Sequence, residues 1–141
     1  MNGYEISTEK ARLDLDVIHG FLRTAYWSPG VERGVVERSI EGSLCFGLYA
    51  PDGAQAGFAR VITDKATFGY VADVFVLPDH RGQGLGAWLV ETLLAHPDLQ
   101  ALRRVFLGTE DAHTLYGRFG FGPLPRQERF LSIERPLPGY R

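Results

Sequence analysis

Apolar residues recur along this chain with two periods, and the change from one to the other divides it. Positions 4–7 alternate and predict a short first strand, after which Leu13, Val17, Phe21 and Leu22 recur at helical spacing up to about Tyr26. Ser28, Pro29 and Gly30 interrupt that run, and Val35, Val36 and Ile40 then lie along one side of a second short helix over 31–40. Segments 44–50, 54–63 and 67–77 are strand-like. Pro51-Asp52-Gly53 and Asp64-Lys65 separate them as turns, so an antiparallel meander follows the helical hairpin.

Leu85, Trp88, Leu89, Thr92 and Leu93 return to helical spacing, and Pro97 stops the helix because its ring disfavours an α conformation at His96. Residues 104–108 form a short apolar strand, 111–119 a last helix and 129–133 a last strand expected to close the sheet. Two strands joined by a helix of this length run parallel, which places one parallel pair near the middle of an antiparallel sheet. The expected fold is α+β: a mostly antiparallel mixed sheet with one β-α-β crossover. No repeat, low-complexity tract or linker breaks the chain, so 1–141 is expected to be a single domain, with 136–141 as a tail.

Composition narrows the function classes. A chain of 141 residues with 45% hydrophobic residues can bury roughly 70% of its unfolded surface without disulfides or metals. The single cysteine, Cys45, excludes an intramolecular disulfide framework and a multi-cysteine zinc site, which points to the cytoplasm. His19, His80 and His96 lack a partner pattern, so no metal is expected. Net charge of −2 supplies no global field for nucleic acid, and no apolar run reaches the roughly 18 residues needed to cross a bilayer. Thirteen of the fifteen basic residues are Arg, a side chain suited to forked contacts with phosphate.

The most informative segment runs from Val74 to Trp88, where a strand ends and a helix begins across Arg81-Gly82-Gln83-Gly84-Leu85-Gly86. Glycines without Cβ let main-chain N–H groups converge on one anion, and the helix N-terminus adds positive potential. The loop therefore reads as a phosphate cradle with Arg81 at its rim. Gly82-x-Gly84-x-x-Ala87 also matches a dinucleotide fingerprint, but three antiparallel-type strands precede it and few residues follow, so a dinucleotide domain does not fit.

These residues resemble the GNAT superfamily of N-acetyltransferases, whose pyrophosphate loop follows Gln/Arg-x-x-Gly-x-Gly/Ala. Residues 112–121, Ala-His-Thr-Leu-Tyr-Gly-Arg-Phe-Gly-Phe, resemble the family's Ala-x-x-Leu-Tyr-x-x-x-Gly-Phe signature, and the strand 72–76 resembles its fourth strand. The resemblance covers about residues 4–134. It implies that acetyl-CoA lies where two neighbouring strands splay apart, its pantetheine bonded to the backbone of Phe75, Val76 and Leu77 as an added strand would be. The diphosphate would rest on the N–H groups from Arg81 through Gly82, Gln83, Gly84 and Leu85 to Gly86. Tyr116 matches the general acid that protonates the departing thiolate. Thr109 stands where many relatives carry Asn and is a candidate cofactor contact.

On the amine side some group must accept a proton. Asp73 is the candidate, because strand periodicity places it on the face of Phe75 unless a bulge intervenes; a structural carboxylate bonded to a nearby backbone N–H or to an Arg is the alternative. Glu110, Asp111 and His113 are weaker candidates. Acceptor pockets of this family lie under the first two helices, which makes Tyr26 and Trp27 candidate pocket walls and Arg33 a candidate partner for a substrate carboxylate. The implied activity is direct transfer of acetyl from acetyl-CoA to a primary amine of a small molecule or peptide, without a covalent enzyme intermediate. Cys45, in an apolar strand, has no nucleophilic role. The alternative is a non-catalytic acyl-CoA sensor or partner-binding module, which has no need of Tyr116. The closing strand and tail are free to pair in a homodimer or to stay alone.

Overall fold

The computed structural model describes residues 1–136. Its strands are β1 (Glu5–Ser7), β2 (Leu44–Tyr49), β3 (Gln55–Thr63), β4 (Phe68–Val76) and β5 (Arg104–Leu107), forming one sheet in that order. Its helices are α1 (Leu15–Leu22), α2 (Arg33–Glu41), α3 (Leu85–Leu94) and the single turn α4 (His113–Gly117). β1 to β4 pair antiparallel, and β4 pairs parallel with β5 through the crossover of α3.

Local chemistry sets the helix ends. Asp14 begins α1 by accepting from the N–H groups of Asp16 and Val17. The helix stops short of the expected Tyr26, because the Ser28 hydroxyl donates to the Leu22 carbonyl at 2.7 Å and the Gly30 N–H to the Arg23 carbonyl at 2.8 Å. The second of these turns the chain back through Gly30 at φ +76°, a conformation glycine adopts without strain. Residues 23–30 thus become a folded connection beside the sheet.

The strands sort their side chains between two apolar layers. Cys45, Phe58 and Phe75 face α1 and α2, where Ile18, Leu22 and Val36 cover them. Phe46, Ala59, Val61 and Val71 face α3, packed by Leu89 and Leu93. One irregularity matters for the site. Between the pairs Phe58–Phe75 and Arg60–Ala72 the β4 strand is one residue longer than β3, and Asp73 takes up the excess at φ +54°.

The strand expected over 129–133 is absent from the described residues. Gln127–Arg129 is a 3-10 turn and 130–136 runs without ladder partners. Phe130 alone docks, its ring 5.4 Å from that of Phe106 with the Arg104 guanidinium over it, while Leu131 and Ile133 are 95% and 76% exposed. Alternation makes a strand only where a neighbouring backbone completes the ladder. Here the turn at Gln127–Arg129 and the docking of a single ring replace it. β5 is consequently the edge of the sheet, and the parallel pair lies at that edge and not near the middle. The expected tail beyond Pro136 lies outside the described residues.

Candidate active site

β5 stays in register with β4 only from Phe68–Arg104 to Val71–Leu107. Beyond Val71, β4 continues to Val76 while β5 ends, so the two strands part. A cavity of about 490 Å³ occupies the gap, lined on the sheet side by Tyr70 to Val74 and across it by Leu107 to Ala112 and Tyr116. Leu22, Tyr26, Trp27, Val31, Val35 and Val36 wall it from the helical hairpin.

Asp73 is the polar centre of this cavity. Its bulge position turns the carboxylate to the Arg60 guanidinium, whose Nε donates to Oδ2 at 2.6 Å, and to the Trp27 indole, whose Nε1 donates to Oδ1 at 2.8 Å. Both members of the ion pair are largely covered, with side chains 15% and 11% exposed. A second Arg60 donor, Nη1, holds the Ser43 hydroxyl at 3.0 Å. The bulge is the exception to strand periodicity that the sequence leaves open, and of the two structural partners expected for this carboxylate, a backbone N–H or an Arg, it is an Arg that is found. On an alternating strand nothing marks an Arg as paired until the antiparallel register sets Arg60 opposite Ala72, next to Asp73.

Tyr26 and Trp27 bridge the cavity's two sides. Trp27 reaches β4 through Asp73, and the Tyr26 hydroxyl accepts from the Glu110 N–H at 3.1 Å, on the loop after β5. Their rings pack edge to face at 5.0 Å, with Phe21 against Trp27 and stacked on Phe75. Arg33 lies elsewhere: at the start of α2 it pairs with Asp16 at 2.7 Å and with Glu37 at 3.8 Å, and it does not line the cavity.

Tyr116 faces the cavity from α4. Burial pushes its phenol above the usual range, with Tyr26 and Asp111 adding to the shift, because the phenolate would lack solvation there. Its hydroxyl makes no hydrogen bond to another described residue, whereas the Thr109 hydroxyl accepts from the Ala112 N–H at 3.1 Å and caps the approach to α4. Burial also pushes the Cys45 thiol up to about 11, which suits a packed strand residue and not a nucleophile.

The glycine loop opens α3 as anticipated. Gly82 and Gly84 both sit at φ +84°, Gly84 as the residue before Leu85, and no side chain among the described residues caps the first N–H groups of the helix. Arg81 does not point freely outward: its Nε donates to the Val76 carbonyl at 2.8 Å. The Leu77 N–H bonds the Ala56 carbonyl at 2.8 Å, leaving that group committed to the sheet, and Phe75 is buried under Phe21. Gln83 turns back to the His80 carbonyl. Val74 and Tyr70 also line the cavity, and nothing in the sequence marks them apart from ordinary strand positions. Among the described residues no group of three or more His, Cys, Asp and Glu could hold a metal ion.

Residues 41–123 match the family described as "Acetyltransferase (GNAT) domain". The chain belongs to the GNAT acetyltransferase family. A solved GNAT-family protein from Xanthomonas campestris pv. campestris is 46% identical and superposes with a TM-score of 0.90, covering 99% of this chain and 96% of that one. A Gibberella zeae protein named "Putative acetyltransferase" is 34% identical, covering 82% of this chain and 76% of that protein. N-acetylglutamate synthase from Neisseria gonorrhoeae, solved with coenzyme A and N-acetyl-glutamate, shares the fold at 20% identity and a TM-score of 0.67, over 89% of this chain and 31% of that one. The five-stranded mixed sheet with its parallel β4–β5 pair is the GNAT fold in this chain. No helix among the described residues is long and apolar enough to cross a membrane.

Proposed function

We propose that this GNAT protein is an N-acetyltransferase of the cytoplasm, a single domain over 1–141, that moves acetyl from acetyl-CoA to a primary amine by direct attack in a ternary complex. The observation that carries this reading is one cavity shared by three features: the splayed end of β4, the raised phenol of Tyr116 and the bonded carboxylate of Asp73. The N-acetylglutamate synthase solved with coenzyme A has the same fold, which supports coenzyme A as the donor's carrier here.

In this mechanism the main-chain N–H groups at Gly82, Gln83, Gly84, Leu85 and Gly86 hold the diphosphate, with Arg81 at the rim, and the backbone of β4 around Phe75, Val76 and Leu77 guides the pantetheine arm. Hydrogen bonds in the ladder and to Arg81 already engage Leu77 N–H and the Val76 carbonyl, so the neighbouring Val74 takes a share of that contact. Thr109 contributes through its hydroxyl proton, its oxygen being occupied by Ala112. Asp73 draws the ammonium into the cavity and receives its proton, each carboxylate oxygen keeping a lone pair beyond its bond to Arg60 or Trp27. The neutral amine attacks the thioester carbonyl, the C–S bond breaks as the Tyr116 O–H gives its proton to the departing thiolate, and the nitrogen sheds its second proton to the Tyr116 phenolate, which restores the phenol and leaves the amide. A phenol held neutral by burial is present in the donating form throughout the neutral range.

Thiol release from acetyl-CoA over a panel of primary amines tests this, with Tyr116→Phe beside the wild type. Turnover by the wild type and a loss on the order of 10²- to 10⁴-fold in the variant, with coenzyme A affinity unchanged, support the enzyme. Tight coenzyme A binding with no turnover on any amine supports the non-catalytic module instead.

A further inference from the structure

The charge inventory of the cavity deepens the proposed N-acetyltransferase activity, on which this inference rests. Arg60 is the only basic side chain lining the cavity among the described residues, and its charge is balanced by Asp73, to which Nε donates at 2.6 Å, while Nη1 donates to the Ser43 hydroxyl at 3.0 Å. Arg33 is held outside by Asp16 and Glu37. Against this single compensated cation stand three carboxylates, Asp73, Glu110 and Asp111. The cavity therefore favours a cation and offers a substrate carboxylate or phosphate no uncompensated positive charge among the described residues.

The wall opposite the sheet has a different chemistry. Val35 presents aliphatic surface there over the buried Leu22, Val31 and Val36, the Ser28 and Ser39 hydroxyls donate to the Leu22 and Val36 carbonyls, and the Tyr26 and Trp27 rings stand beside them. Both rings are fixed: the Tyr26 hydroxyl is tied to the Glu110 N–H and the Trp27 indole to Asp73, from opposite sides of the opening. An acceptor with its amine at Asp73 must lay the rest of its body on this aliphatic and aromatic surface. A charge on that body would be stranded there without a counter-ion, at a cost of several-fold to many-fold in binding.

We propose that the acceptor is a primary monoamine with an uncharged apolar body, an alkylamine or aralkylamine, and that the cavity refuses amino acids and other acceptors carrying a carboxylate or phosphate. The specificity determinants are the wall of α1 and α2 for the body, and for the amine Asp73 together with the excess negative charge of Glu110 and Asp111. Discrimination arises without any steric gate, because Arg60, the one cation lining the cavity among the described residues, is already paired with Asp73.

Hexylamine against 6-aminohexanoate, and 2-phenylethylamine against phenylalanine, are matched tests, the first pair keeping the amine's own basicity nearly constant. Thiol release from acetyl-CoA is expected to favour each amine over its carboxylated partner by on the order of 10²-fold or more in kcat/KM. From propylamine to hexylamine, kcat/KM is expected to rise roughly fourfold per methylene until the cavity fills. Val35→Arg, which puts a cation into the aliphatic wall, is expected to narrow or invert the preference for hexylamine over 6-aminohexanoate. Should that variant fail to fold, the wild-type pairs decide alone. Binding is read separately, as the shift in melting temperature that hexylamine or 6-aminohexanoate adds to protein saturated with coenzyme A, which carries no acetyl group to transfer. Equal turnover or equal binding of the paired compounds, a flat chain-length series, or a preference for spermidine overturns the substrate class while leaving the acetyltransferase in place. Absence of coenzyme A binding removes the proposed function, and this inference with it.

Discussion

The Trp27 indole N–H donates to the Asp73 carboxylate across 2.8 Å, joining the connection between α1 and α2 to a bulge in the strand that borders the cavity. The two residues are separated by 46 positions in the chain. The contact orients the carboxylate and a wall of the cavity at once, so a change at either end is felt at both. Trp27→Phe keeps an aromatic ring against Phe21 and Tyr26 but removes the donor. Because Trp27 is 39% exposed, the expected loss of stability is small, about 1 kcal/mol. The expected kinetic effect is larger in KM for the amine than in kcat, measured by thiol release at saturating acetyl-CoA.

The Arg60–Asp73 pair is a different kind of contact. Both side chains are largely covered, so removing one partner strands the other's charge. Arg60→Met is expected to destabilise the fold by about 3 kcal/mol in urea denaturation. Asp73→Asn tolerates the left-handed backbone at φ +54°, and Asp73→Ala does not, so Ala is expected to cost about 1 kcal/mol more than Asn. The double variant Arg60→Met with Asp73→Asn should be less destabilised than the two single effects added together. Strict additivity would show that the pair is not coupled.

Two glycines of the loop are expected to respond differently to substitution. Gly84 has φ +84° and a Cβ there would lie 3.2 Å from the flexible end of Met1, so Gly84→Ala is expected to cost about 1–2 kcal/mol through its backbone alone. Gly86 lies inside α3, and the nearest atom to a new Cβ is a Val76 methyl at 4.0 Å. Gly86→Ala is therefore expected to hold or raise stability by up to about 1 kcal/mol. Isothermal titration with coenzyme A is expected to show weaker binding in Gly84→Ala, whose cradle is distorted.

Asp64 gives the fold an acid-sensitive turn. Its carboxylate accepts from the Thr67 hydroxyl at 2.6 Å and from the N–H groups of Thr67 and Ala66, which holds it well below the usual carboxylate range. A carboxyl group whose folded value is depressed stabilises the fold above its unfolded value and loses that contribution as pH falls towards the folded one. The difference in melting temperature between wild type and Asp64→Asn is expected to stay level down to about pH 5 and to narrow below about pH 4.

Tyr116 sets the alkaline limit in the opposite sense. Burial raises its phenol, so the proton-donating form persists above the usual tyrosine value of about 10. The kcat profile is expected to show no falling limb from this group below about pH 10, followed at fixed saturating amine. A fall centred near neutrality that disappears in Tyr116→Phe would contradict the assignment.

The alternation of residues in β2, β3 and β4, the turn residues between them and the glycines before Leu85 are local statements. Strand period, turn chemistry and positive φ depend on neighbours a few positions away, and these elements were legible from order alone. The place of Tyr116 on the cavity wall follows from a short stretch as well, since the residues around α4 are neighbours in sequence. Residues 129–133 alternate as well, yet they form no strand, because a ladder needs a backbone in register beside it and a single docked ring at Phe130 takes its place. Which carboxylate meets which cation was equally beyond the sequence. Arg60 and Asp73 are neighbours only because the antiparallel register of β3 and β4, one residue out of step at the bulge, turns both to the same face. Arg33 has the same chemistry as Arg60 and was spent on Asp16, since α2 begins beside α1 and not beside the sheet. Identity and spacing thus decided the fold and the chemistry available to it. Long-range register decided which charges are left for a substrate, because Coulombic pairing depends on distances in space that the order of residues does not contain.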